Sequence, residues 1–191
     1  AVAVAAVISM AGIAQAVHLC GTLGGECLDD PSFDLATDGS QTSNSNWSLI
    51  ADSPDGVGFA AEFQDAGFAS SDGVSPGVWF RSFEGAQDPG EDPADATLTQ
   101  TTAAVPTAGT YRMTFSLIVE QNHMAASTTA SLSSSGGGSS SFDILAAPRV
   151  ATGGGFNQHV PVQVILDVAA NAGDTLTATV FMDDGVNAGV D

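Results

Sequence analysis

The chain has 191 residues, 43% of them hydrophobic, enough for one domain with an ordinary buried core and too apolar for a disordered polymer. Its 22 acidic residues face three arginines (Arg81, Arg112, Arg149) and no lysine, a formal net charge of -19. That balance speaks against a nucleic-acid partner or an anionic membrane surface, because no basic patch exists to displace counterions, and it removes every lysine chemistry.

Residues 1–19 form an uncharged apolar run. Its length suits a signal-peptide core better than a membrane span, and Ala14-Gln15-Ala16 resembles a small-x-small cleavage site, although no basic n-region precedes it. Three readings follow: a signal, a retained segment that packs on neighbouring copies, or the domain's own first strand or core helix. The second is the one expected, with Val4, Val7, Ile8 and Ile13 as assembly residues. An apolar segment outside a domain needs a partner to cover it, and a strand supplied to another subunit's sheet is covered. No membrane span is expected in the mature assembly.

Cys20 and Cys27 enclose six Gly-rich residues, a spacing that can close with disulfide geometry. A disulfide is expected, with free thiols the alternative, and it implies an oxidising compartment. Zinc would need two more ligands, and only His18 is near. Residues 1–27 are therefore set apart as an apolar segment with a Cys-bounded loop, and residues 28–191 as a single domain.

From Leu28 onward, short alternating runs are punctuated by Gly, Pro, Asn, Asp and Ser, which predicts an all-β domain. Strands are expected at 47–50, 58–63, 78–83, 96–102, 111–119, 126–132, 141–145, 160–168 and 175–181, and no helix. The run at 111–119 is the strongest, because Tyr111, Met113, Phe115, Leu117 and Val119 share one face at period two. Residues 133–140 and 153–155 read as flexible tips, 88–95 as an acidic loop and 171–174 as a turn.

The chemistry-bearing residues are scattered. His18, His123 and His159 lie in unrelated contexts without a Gly-x-Ser-x-Gly elbow, and the strand-associated glutamates Glu62, Glu84 and Glu120 form no specific pair. No Gly-x-Gly-x-x-Gly motif opens a helix. No catalytic residue is assigned, and an enzyme is not expected. Calcium is the candidate ion, since Asp34-Leu-Ala-Thr-Asp-Gly39 and Asp183-Asp-Gly-Val-Asn187 offer oxygen ligands with a turn-permitting Gly, although ordinary Asx-turn chemistry accounts for both loops. Trp47, Trp79 and Phe80 are candidate ligand-binding residues for a sugar, with Asn44, Asn46 or Gln87 as amide partners; core packing is the competing role.

Several stretches resemble the galactose-binding-like, carbohydrate-binding-module type of jelly roll of bacterial secreted proteins. Ser32-Phe-Asp34 followed by Trp47 is similar to that family's "N-x-FE…W" opening. Ala96-Thr-Leu-Thr-Gln100 followed by Ala108-Gly-Thr-Tyr-Arg-Met-Thr-Phe115 resembles its middle section, and residues 166–180 resemble its closing strand pair. The resemblance covers residues 30–191 and implies an antiparallel β-sandwich. It also implies a structural calcium joining the first and last strands, which would bring together Asp34, Asp38 and Asp184 or Asp191. Asp34 stands where the family has Glu, and the residues given end at Asp191, where such domains run on into a further strand; the apolar N-terminus is a candidate for that place.

The expected function is that of a non-enzymatic structural subunit at a cell or virion surface, or in a secreted filament or sheath, forming a homo-oligomer or polymer. The alternative is a carbohydrate-binding module or adhesin with a glycan partner.

Overall fold

The computed structural model describes residues 3–7, 28–29, 33, 46–52, 60–64, 77–81, 95–121, 123, 125–151 and 160–183. The strands are β1 (Ala3–Val7), β2 (Ser48–Ala51), β3 (Ala61–Gln64), β4 (Gly77–Phe80), β5 (Ala96–Thr101), β6 (Gly109–Leu117), β7 (Val119–Glu120), β8 (Ser127–Ser134), β9 (Ser139–Asp143), β10 (Arg149–Val150), β11 (Val162–Ala170) and β12 (Leu176–Asp183). Among the described residues the one helical element is a 3-10 turn, Ile144–Ala146, capped by the Asp143 carboxylate. The protein is thus nearly all β.

A five-stranded antiparallel sheet runs in the order β2-β5-β12-β8-β9. A three-stranded sheet runs β1-β6-β11, and β3-β4 and β7-β10 form separate pairs. Two pairings depart from the antiparallel expectation: β1 runs parallel to β6, and β10 parallel to β7. The first places residues 3–7 of the apolar N-terminal run beside the strongest strand of their own chain, Ala3 opposite Thr110 through Val7 opposite Thr114.

Period-two alternation decides what each strand buries. β6 turns Tyr111, Met113, Phe115 and Leu117 inward, and β11 adds Val164, Leu166 and Val168. From the larger sheet come Leu98, Ala130, Leu132, Leu176, Ala178, Val180 and Met182, and all belong to one buried cluster. At roughly 25 cal/mol per Å² of apolar surface removed from water, this shared burial is the main favourable term holding the elements together.

The expected run 111–119 is interrupted at Ile118: β6 ends at Leu117, and Val119, still buried, starts the short β7. The expected flexible tip at 133–140 is also corrected. β8 continues to Ser134 and β9 begins at Ser139, leaving only 135–138 as the turn. Ser134 is buried there because its hydroxyl donates to Asp174 Oδ2 at 3.0 Å and accepts from the Gly136 amide at 3.2 Å. Asp174 Oδ2 also accepts from the Asn171 amide at 2.7 Å, so one carboxylate joins the β8–β9 and β11–β12 turns. Tyr111 is buried with its phenol donating to the Thr107 carbonyl at 2.8 Å, a local tie of the tyrosine-corner kind between a strand and the turn before it.

Candidate functional site

The residues best arranged to meet a ligand lie on the β3–β4 pair. Ala61 faces Phe80 and Phe63 faces Val78, and these four turn toward the core. The alternate positions point the other way. Glu62 stands opposite Trp79, and Arg81, two residues on, shares that side. The Arg81 guanidinium carbon lies 5.0 Å from the centre of the Trp79 ring, a cation–π distance. Its Nη2 is 3.7 Å from Glu62 Oε2, with both side chains 13% exposed. The Arg81 amide donates to the Ala60 carbonyl at 2.7 Å, which anchors the strand end.

The pair thus gathers an indole, a carboxylate and a guanidinium, groups of the kind that line sugar sites, with the guanidinium lying over the ring and both charged side chains largely buried. The candidate sugar platform is thereby divided. Trp79 is half-buried on the polar side of the pair, whereas Trp47 is only 3% exposed and Phe80 packs on the core. Trp47 lies 5.2 Å from the Phe33 ring, and Phe33 lies 5.9 Å from Phe63. Phe33 is fully buried with φ of 59°, a left-handed backbone that a bulky side chain adopts only when packing holds it. Asn46 contributes its backbone carbonyl, which accepts from Gln100 Nε2 at 2.8 Å.

The other expected site residues distribute as follows. Val4 and Val7 sit in β1, opposite Tyr111 and Thr114. Ile8, Ile13, Cys20, Cys27, Asp34, Asp38, Asp184 and Asp191 lie outside the described residues, as do His18, His159, Glu84, Asn44 and Gln87. Among the described residues, no three His, Cys, Asp or Glu side chains gather as metal ligands would. His123 is held in structure: its Nε2 is 2.8 Å from Thr128 Oγ1, and its carbonyl accepts from Arg149 Nη1 at 2.5 Å. Burial first, and then the charge of Arg149, push its pKa down to about 4.

All three arginines have assigned work. Arg81 serves Trp79 and Glu62, Arg149 the carbonyls of the 121–123 turn, and Arg112 a bidentate pair with Asp167 at 2.7 and 2.8 Å. The Arg112 hydrogen bonds hold the Asp167 carboxyl below its ordinary range. Sequence reading missed the grouping of Glu62 with Trp79 and Arg81. The i, i+2 spacing of Trp79 and Arg81 was a usable signal, but the position of Glu62 depends on strand register. Compared with protein-family models, with curated proteins and with solved structures, the chain matches none.

Proposed function

We propose that this chain is a non-catalytic extracellular structural subunit, a jelly-roll β-sandwich that assembles through its N-terminal strand. The observation that supports it is the placement of β1 in parallel register along β6, at the margin of the three-stranded sheet and far in sequence from β2. An edge strand presents a row of backbone donors and acceptors that any matching strand can pair. The β6 edge that accepts its own β1 accepts the β1 of a second copy by the same hydrogen bonds. If each copy passes the strand onward, the contact is head-to-tail and grows into a polymer or ring. The single buried cluster shared by the two larger sheets supports the sandwich, and an oxidised Cys20–Cys27 pair and calcium at Asp34, Asp38, Asp184 and Asp191 belong to the same extracellular reading.

Light scattering on the full chain tests it. The mass is expected to exceed that of the monomer and to rise with concentration. Prolines at both Val4 and Ala5 remove a ladder amide whichever residue faces β6, and should return the chain to a monomer with an unchanged strand signature in circular dichroism. A wild-type chain that stays monomeric at every concentration sinks the proposal.

A second reading, a carbohydrate-binding module, is favoured by the position of Trp79 beside Arg81 and Glu62. On this reading Trp79→Ala abolishes retention on the neutral glycans that the wild type binds in an array, with little change in melting temperature. A wild type that binds no glycan removes it.

A further inference from the structure

The outer face of the five-stranded sheet carries a regular lattice. Strand register aligns Ser48, Thr99, Thr179, Ser131 and Ser141 in one row across β2, β5, β12, β8 and β9. A second row holds Thr101, Thr177, Ser133 and Ser139, so both rows are serine or threonine throughout. A third, Ile50, Thr97, Phe181, Thr129 and Asp143, borders them with two exposed apolar side chains, Ile50 at 68% and Phe181 at 39%. Every one of these positions is exposed or half-exposed. Neighbouring strands repeat at about 4.8 Å, and residues i and i+2 at about 6.8 Å.

Charge narrows what such a face can meet. In a chain with 22 acidic residues, the two hydroxyl rows hold no ionisable group; Asp143 ends the third row, and Asp183 of β12 stands in the row beyond it, opposite Ser127. The outer face of β6 and β11 differs, carrying the Arg112–Asp167 ion pair. A ligand for the hydroxyl rows is therefore uncharged, extended and periodic in two dimensions. A polysaccharide surface would call for aromatic rings along the rows, and Phe181 stands alone at their border. Ordered water has the required properties: the oxygen repeats of hexagonal ice are close to both sheet spacings, and each lattice point of the two rows offers a hydroxyl, with a methyl beside it at Thr99, Thr101, Thr177 and Thr179. The hydroxyls are also preordered, Thr101 with Thr177 at 2.9 Å and Thr99 with Thr179 at 3.3 Å, which lowers the entropy lost on contact. Sheet twist limits the match to adjacent strands, and the adjacent strands β5 and β12 each carry Thr-x-Thr.

We propose that this face binds ice. The proposal is independent of assembly through β1. The full chain is to be assayed for inhibition of ice recrystallisation and for thermal hysteresis, with Thr179→Lys in the middle of the first row and Gln163→Lys on the outer face of β11 as control. Activity is expected in the wild type and in Gln163→Lys, with most of it lost in Thr179→Lys. Ser131→Lys, in the same row, replaces the first variant if that one melts early. Inactivity of the wild type overturns the proposal, as does a row variant that folds and keeps full activity, or a control that loses it. Retention on crystalline cellulose or chitin without ice activity overturns it in favour of a polysaccharide surface.

Discussion

At the residue scale, Gln100 carries more structure than its place in a polar-looking strand suggests. It is buried on β5 and makes three hydrogen bonds at 2.8 Å: Oε1 accepts from the Asp29 amide, and Nε2 donates to the carbonyls of Asp29 and Asn46. Two separate backbone segments are thus tied to one strand. Gln100→Ala leaves those backbone groups without their partner and is expected to cost about 1–3 kcal/mol or more, read as a lower urea midpoint at constant m-value. His123 supplies a pH signature at the same scale. With its folded pKa pushed down to about 4, it remains neutral in the fold while the unfolded chain takes up a proton near its ordinary value of about 6.5. Between those values the unfolded state binds the extra proton, so stability falls as pH falls, by at most about 1.4 kcal/mol per pH unit, and is unaffected above that window. The difference in melting temperature between wild type and His123→Gln, followed from pH 7 downward, should change through this window; a constant difference contradicts it.

At the element scale, the hairpin between β8 and β9 shows how local and long-range demands combine. Gly137 has φ of 100° and open space where a Cβ would stand, so its glycine answers to backbone conformation alone. Gly138 is ordinary in backbone but a Cβ there would lie 2.5 Å from the Ala169 carbonyl oxygen and 2.9 Å from Val168 Cγ2. The turn is pressed against the end of β11. Gly137→Ala should cost about 1 kcal/mol, the usual penalty for left-handed backbone, and Gly138→Ala should cost more because the hairpin must move off β11. Thermal melts of the two variants decide it, and an equal loss would show that the contact relaxes freely. Most of the longer strands were legible in the alternation, whereas β10 was not expected and β1 was one of three readings of its segment. Their ends were less so: Ser133, Ser134, Ser139 and Ser140 look like loop residues until the Asp174 carboxylate and the neighbouring strands supply their partners.

At the scale of the whole molecule, the net charge of -19 is spread over a fold whose three arginines are already engaged. Self-repulsion opposes the compact state, and salt screens it, with a Debye length of about 10 Å at 0.1 M. The melting temperature is therefore expected to climb as sodium chloride is raised from low concentration to about 0.15 M and then to level off. A melting temperature independent of salt in that range would mean that the carboxylates are spaced too widely to interact.

The apolar N-terminal run belongs to this scale as well, since what it contacts is decided elsewhere in the chain. Composition and period-two alternation determined on their own that the chain folds as strands, which side of β6 faces the core and that no basic surface exists. Those are local properties, fixed by backbone sterics and by the residue types themselves. The neighbours of each strand were not open to that reading: β1 parallel to β6, Glu62 opposite Trp79, the Thr and Ser rows in register. Backbone hydrogen bonds between strands are chemically alike at every residue, so pairing is selected by the burial of all the strands at once, and only the tertiary structure shows which selection was made.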